Sequence, residues 1–302
     1  MDKSQAPLND RTGALQTARL SFIGCGVMAE AMIAGLLRQK LVTASQITGS
    51  HPRASRRREL EEKYGLPIVE SNRQAAMPLA ASDKADDDAP AATPNSIVVL
   101  AVKPQRLAGV LAELKGVLHL DQLVVSVVAG ARIEMIAGEL LHPAIVRAMP
   151  NTPAQIGQGM TAWTATEEVT QAQQVAVRVM LGALGREMYV ETERMIDMAT
   201  ALSATGPTYF FLVMEALTDA GVHMGFSRHV SQELVLQTML GSVLFAQESH
   251  KHPAELRNMV TSPGGTSAEA IYQMEKGGLR TVLSKAVYAA FQRAVALGQR
   301  KG

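Results

Sequence analysis

Thr261-Ser-Pro-Gly-Gly-Thr-Ser267 sets two bare glycines and two hydroxyls before an apolar stretch with Ala270, Ile271 and Met274 at helical spacing. Pro263 ends whatever precedes it, since its ring disfavours a helical residue before it. The first amides of a helix lack carbonyl partners and carry the positive end of its dipole. A small carboxylate fits such a start. The same residues also spell a capping box, Thr266-x-x-Glu269, in which Thr266 or Ser267 closes the helix without any ligand. Taken alone, the segment supports both readings.

A second glycine turn, of a different kind, lies near the N-terminus. Gly24-Cys-Gly26-Val-Met28-Ala29 falls between a strand-like run at 19–24 and a helical run at 28–38. Gly24 permits a tight turn, Gly26 lets a diphosphate reach the backbone, and the small Ala29 allows close helix-to-strand packing. Gly24, Gly26, Val27 and Met28 are therefore expected to hold the diphosphate of a dinucleotide. Cys25 has no partner cysteine and reads as a small filler.

The end of the second strand separates the two nicotinamide dinucleotides. An acid there would bind the free ribose 2′-hydroxyl of NAD. This chain has Ser50-His-Pro-Arg53, with Arg56, Arg57 and Arg58 close behind. A hydroxyl and an arginine suit a 2′-phosphate, so Ser50 and Arg53 point to NADPH, with NADH as the alternative. Part of the later arginine run belongs to a solvated helix face.

Both turns need a scaffold. Strand-like apolar runs at 19–24, 46–50, 67–71, 96–101, 123–129 and 144–148 alternate with helical patterns, among them 28–38 and 55–64. Near-continuous apolar strands separated by helices predict a parallel, doubly wound sheet covered on both faces. Residues 1–18 read as a flexible tail, and 80–95, with Asp86, Asp87 and Asp88, as a solvated loop. After Tyr189 strand signals cease. Helices are expected over 207–225, 230–247 and 281–300, apolar on most of their faces. Such helices require cover, and a second copy of the same segment would supply it, giving a homodimer. The domain division is 19–192, a nucleotide-binding domain, and 193–302, a helical dimerisation and substrate-binding domain.

Composition narrows the partners. At 302 residues the chain exceeds one average core. A formal net charge of +1 lacks the basic excess of a nucleic-acid or membrane-surface protein. A single cysteine excludes an internal disulfide, and no apolar run reaches membrane-spanning length. The first ten residues hold no apolar signal core, so a cytoplasmic protein is expected. The seven histidines show no metal-ligand spacing, and no metal site is expected.

Four blocks then occur in order: 101–105 (AVKPQ), 147–153 (RAMPNTP), 202–209 (LSATGPTY) and 261–271 (TSPGGTSAEAI). With both glycine turns they make the chain resemble pyrroline-5-carboxylate reductases from about Leu20 to the C-terminus, the acidic loop apart. The resemblance implies an α/β chain, with an N-terminal Rossmann domain and an all-helical C-terminal dimerisation domain. It also implies dimers often gathered into a ring, and NADPH-dependent reduction of 1-pyrroline-5-carboxylate to L-proline. By position, Gly264, Gly265 and Thr266 would offer amides to the substrate carboxylate, and Ser267 would hydrogen-bond the ring nitrogen as the catalytic residue. Ala101, Val102, Lys103, Pro104 and Asn151 would line the cofactor site.

Three departures stand out. Ser267 replaces the family's threonine, Met259 stands where relatives show an amide, and Ala204-Thr205 replaces Gly-Ser. They keep two alternatives in view: a reductase of another cyclic imine, and a dinucleotide-binding paralogue with a regulatory role. A hydroxyacid dehydrogenase of similar architecture would need a catalytic lysine in the second domain, and 207–247 contains none.

Overall fold

The computed structural model describes residues 13–77 and 96–299. The acidic run at 86–88 and residues 1–12 lie outside them. Strands β1 (Arg19–Ile23), β2 (Ile47–Ser50), β3 (Ile68–Val69), β4 (Ser96–Leu100), β5 (Leu123–Ser126) and β6 (Ile145–Met149) are joined through helices α1 (Val27–Arg38), α2 (Ala54–Tyr64), α3 (Asn72–Ala76), α4 (Pro104–Leu114) and α5 (Ile133–Leu140). Two further strands, β7 (Gly159–Ala165) and β8 (Gly185–Tyr189), flank α6 (Gln171–Gly182). The eight strands lie in the order β3-β2-β1-β4-β5-β6-β7-β8.

Alternate residues of each central strand feed opposite layers. Ile97 and Val99 join Phe22, Met32, Leu36 and Met180 on one face. Val98 and Leu100 join Leu107, Leu111, Ile136 and Leu140 on the other. Each such side chain taken from water contributes roughly 1.5–3 kcal/mol, which is why both faces must be roofed by helices.

Two sequence expectations need correction. The sheet is not wholly parallel: β7 runs antiparallel to β6, and β8 then runs parallel to β7. Residues 13–18 are not a loose tail. Leu15 and Ala18 are buried in the core, and the Gln46 side-chain amide donates to the carbonyls of Leu15 (2.8 Å), Gln16 (3.0 Å) and Ala18 (2.9 Å). By its contacts the chain forms two compact units, Met1–Ala204 with Phe291–Gly302, and Thr205–Ala290. Helix α7 (Glu193–Ala199) packs with the first of them. Arg147, buried on β6, donates to Glu193 at 2.9 Å and Asp197 at 2.6 Å and so fastens α7 to the sheet. Removing one partner of such a buried pair costs on the order of 3–5 kcal/mol.

The second unit is built from α8 (Gly206–His223), α9 (Arg228–Ser249), α10 (Pro253–Met259), α11 (Thr266–Lys276) and most of α12 (Leu279–Gln299). It has almost no core of its own. Among the described residues, α8 buries only Gly206, Thr218 and Gly221, and α9 only Ser231. Phe210, Phe211, Leu217, Leu234, Leu240 and Phe245 are exposed. No helix is long and apolar enough to cross a membrane among the described residues.

Candidate dinucleotide and carboxylate sites

The glycine turn closes the carboxyl end of β1, beside β4, where the direction of strand succession reverses. Gly24 has φ +88°, and a Cβ there would lie 2.5 Å from Val102 Cγ1 and 3.2 Å from the Ala101 carbonyl oxygen. The turn and the 101–102 segment are thus pressed together, with the Ala101 N–H bonded to Ile23 O at 2.9 Å. Gly49 shows the same tightness from the other side, where a Cβ would lie 2.3 Å from Cys25 Sγ. Burial pushes the Cys25 thiol up to about 12, so it is inert filler as expected.

Two amides of the turn face inward: Cys25 N–H bonds Ser50 O and Gly26 N–H bonds Gly24 O, both at 2.8 Å. Helix α1 has Gly26 as its N-cap with no side-chain cap, and a Cβ on Gly26 would meet nothing within 4 Å. Bare helix-start amides at Val27 and Met28, under open space, fit a dinucleotide diphosphate. Lys103 is the exposed N-cap of α4 and Pro104 its first residue, so a second helix start flanks the crevice.

Beyond the turn, the arginines divide by role. Arg57 donates to the carbonyls of His51 and Pro52, each at 2.9 Å, and pairs with Glu70 at 3.1 Å. Arg56 pairs with Glu30 and with Glu59. Arg53, the N-cap of α2, and Arg58 remain exposed. Ser50 departs from expectation. It is fully buried, accepts the Gly24 N–H at 3.2 Å and donates to Asn72 Oδ1 at 2.8 Å. It supports the turn instead of facing a phosphate. Burial, reinforced by the charges of Arg53, Arg56 and Arg57, holds His51 below the usual histidine range.

Sequence reasoning passed over Glu30. Burial alone would raise its pKa, yet hydrogen bonds from Lys63 (2.8 Å), Arg56 and Tyr64 (2.9 Å) outweigh that and bring it down to about 2. Asn151 is also more engaged than expected: Oδ1 accepts the Met160 N–H at 2.9 Å, and the amide nitrogen reaches Ser203 O at 3.4 Å. Its side chain holds 151–160 and the 200–204 turn together.

In the second unit the 261–267 turn opens α11. The N-cap is Gly265, with no side-chain cap, so neither Thr266 nor Ser267 closes the helix. Gly264 has φ +70°, the left-handed conformation that glycine adopts freely. One expected donor is occupied: the Gly265 N–H bonds Ser262 O at 3.0 Å. Among the hydrogen bonds of the described residues, none uses the N–H of Gly264, Thr266 or Ser267 outside the helix ladder. Those three amides, with the Ser267 hydroxyl, form the bare helix start.

A bare glycine turn at the strand-order reversal and a coreless helical unit are the marks of a dinucleotide-binding protein that works as a homo-oligomer. Family models agree: one described as NADP oxidoreductase, coenzyme F420-dependent, matches 19–130, and one described as pyrroline-5-carboxylate reductase dimerisation matches 193–297. The pyrroline-5-carboxylate reductase of Pseudomonas aeruginosa is 39% identical over 95% of this chain and all of its own length. That of Synechocystis is 37% identical over 93% of this chain and 99% of its own. Among solved structures, the Coxiella burnetii pyrroline-5-carboxylate reductase superposes with TM-score 0.82 at 34% identity, over 94% of this chain and all of its own. The Plasmodium falciparum pyrroline carboxylate reductase with NADP bound gives 0.79 at 29%, over 93% and 98%. The chain belongs to the pyrroline-5-carboxylate reductase family.

Proposed function

We propose that this protein reduces 1-pyrroline-5-carboxylate to L-proline with NADPH, the final step of proline biosynthesis. The observation that carries the reading is the open, uncapped start of α1 over Gly26, in a chain belonging to that family. A bound nicotinamide dinucleotide supplies the hydride; the protein supplies placement and charge.

The amides of Gly264, Thr266 and Ser267 hold the substrate carboxylate, and the Ser267 hydroxyl orients the ring nitrogen as the catalytic residue. Gly265 shapes this turn, its amide being held by Ser262. With the imine protonated on entry, hydride addition to the ring carbon neutralises the iminium and leaves the amine. No side chain has to deliver a proton. The amides of Val27 and Met28 hold the diphosphate over the bare backbone of Gly24 and Gly26, Arg53 takes the 2′-phosphate, and Ala101, Val102, Lys103 and Pro104 border the nicotinamide half. Ser50 and Asn151 act from behind.

The coreless helices support an obligate dimer, and dimers gathered into a ring extend that reading. A lone, buried, protonated cysteine suits a reducing compartment, and we place the protein in the cytoplasm.

The test is direct. Purified protein given NADPH and 1-pyrroline-5-carboxylate should consume the cofactor and form proline in equal amounts. No turnover across pH 5–9 would reject the reading, and faster turnover of a six-membered cyclic imine would reassign the substrate.

A further inference from the structure

Glu30 stands in the first turn of α1, on the helix whose start is offered to a diphosphate. An unneutralised carboxylate there would compete with that anion for the same helix dipole. In this chain Glu30 is fully engaged, and every partner lies on α2. One carboxylate oxygen accepts from Lys63 and Tyr64 at the end of α2, the other from Arg56 near its beginning. Arg56 then reaches back. Its Nε approaches the Cys25 carbonyl of the glycine turn at 3.4 Å, and its second terminal nitrogen holds Glu59 at 2.7 Å. One acid and one arginine thus join the glycine turn to the helix that carries Arg53 as its N-cap.

On the reading that Gly24–Met28 and Arg53 hold a dinucleotide, we infer that Glu30 and Arg56 are positioning residues. Together they set the spacing between the diphosphate end of the site and its 2′-phosphate end. Arg56 is withdrawn from direct phosphate binding by this duty, and Arg53 carries the discrimination. The depressed pKa of Glu30 agrees, since the pair stays charged throughout the physiological range.

Calorimetric titration of the full-length protein with NADPH and with NADH tests this without turnover. Glu30→Gln should weaken both dinucleotides by about tenfold, a loss of ~1.4 kcal/mol, and should affect affinity more than turnover at saturating cofactor. Arg56→Lys keeps the charge, but a single ammonium nitrogen cannot span the separate acceptors on Cys25, Glu59 and Glu30 that the guanidinium fork reaches, so it should lose affinity comparably. The double variant should bind no worse than the weaker single one, because both act through one contact. Lys63→Gln removes a Glu30 partner that does not touch the turn and should bind within about twofold of wild type.

Unchanged affinity in folded Glu30→Gln would overturn the inference. So would an equal loss in Lys63→Gln, which would reduce Glu30 to a general stabiliser, or additive losses in the double variant. A wild-type protein that binds neither dinucleotide would instead sink the functional reading beneath it.

Discussion

The Arg57 guanidinium donates to the carbonyl oxygen of His51 at 2.9 Å. It cannot serve a ligand without releasing the loop that links β2 to α2. Of the four arginines following β2, this bond and the Arg56 pairs remove two from consideration, and Arg53 stands closest to the strand end.

Arg53→Glu should therefore raise the Kd for NADPH by an order of magnitude or more. It loses a charge-assisted bond of roughly 1.5–3 kcal/mol and adds repulsion. The Kd for NADH should stay within about twofold, since that dinucleotide carries no 2′-phosphate. Titration with both cofactors measures the ratio. An unchanged ratio would hand the phosphate to Arg58.

The legible parts of this fold were those written in local pattern. Runs such as 97–100 and 123–125 are apolar throughout because both faces are buried, and the 24–29 turn carries Gly24 where the backbone needs it. What escaped depends on partners distant in sequence. Strand β8 (GREMY) mixes charge with apolar residues because most of its side chains keep some exposure, and nothing local fixes β7 antiparallel to β6. Leu15 and Ala18 are two anchors in an otherwise polar stretch, held by Gln46 about thirty residues away. Glu30 looks like an ordinary dipole complement until Lys63 and Tyr64 are seen folded onto it. The place of Ser50 at a strand end points it at the ligand, but the residue's pleat turns its hydroxyl inward to Gly24 and Asn72.

The helical unit should not persist as a monomer. Leu240, on α9, is 54% exposed in the single chain, as are comparable residues along α8 and α12. A charge there would be stranded in an apolar interface. Leu240→Asp should shift the protein toward monomer in sedimentation and lower its thermal midpoint, with a cost of roughly 2 kcal/mol or more per subunit. A variant that sediments with the wild type would place Leu240 outside the contact and require another face of α9.

Ser267 allows binding and folding roles to be separated, because α11 does not rely on it. The N-cap is Gly265 and no side chain caps the helix, so replacing Ser267 with alanine, the strongest helix former, leaves the helix start intact. What Ser267→Ala removes is the hydroxyl proposed to hold the ring nitrogen. A bond to a charged group is worth roughly 1.5–3 kcal/mol, so kcat/KM for the imine should fall about 10- to 100-fold. The Kd for NADPH should stay within about twofold, because no part of the dinucleotide is assigned to this turn. Threonine at the same position restores the hydroxyl with a stiffer rotamer and should match or exceed the wild-type rate. Parallel loss of turnover and cofactor affinity in the alanine variant would make Ser267 a structural residue and leave the ring nitrogen without its partner.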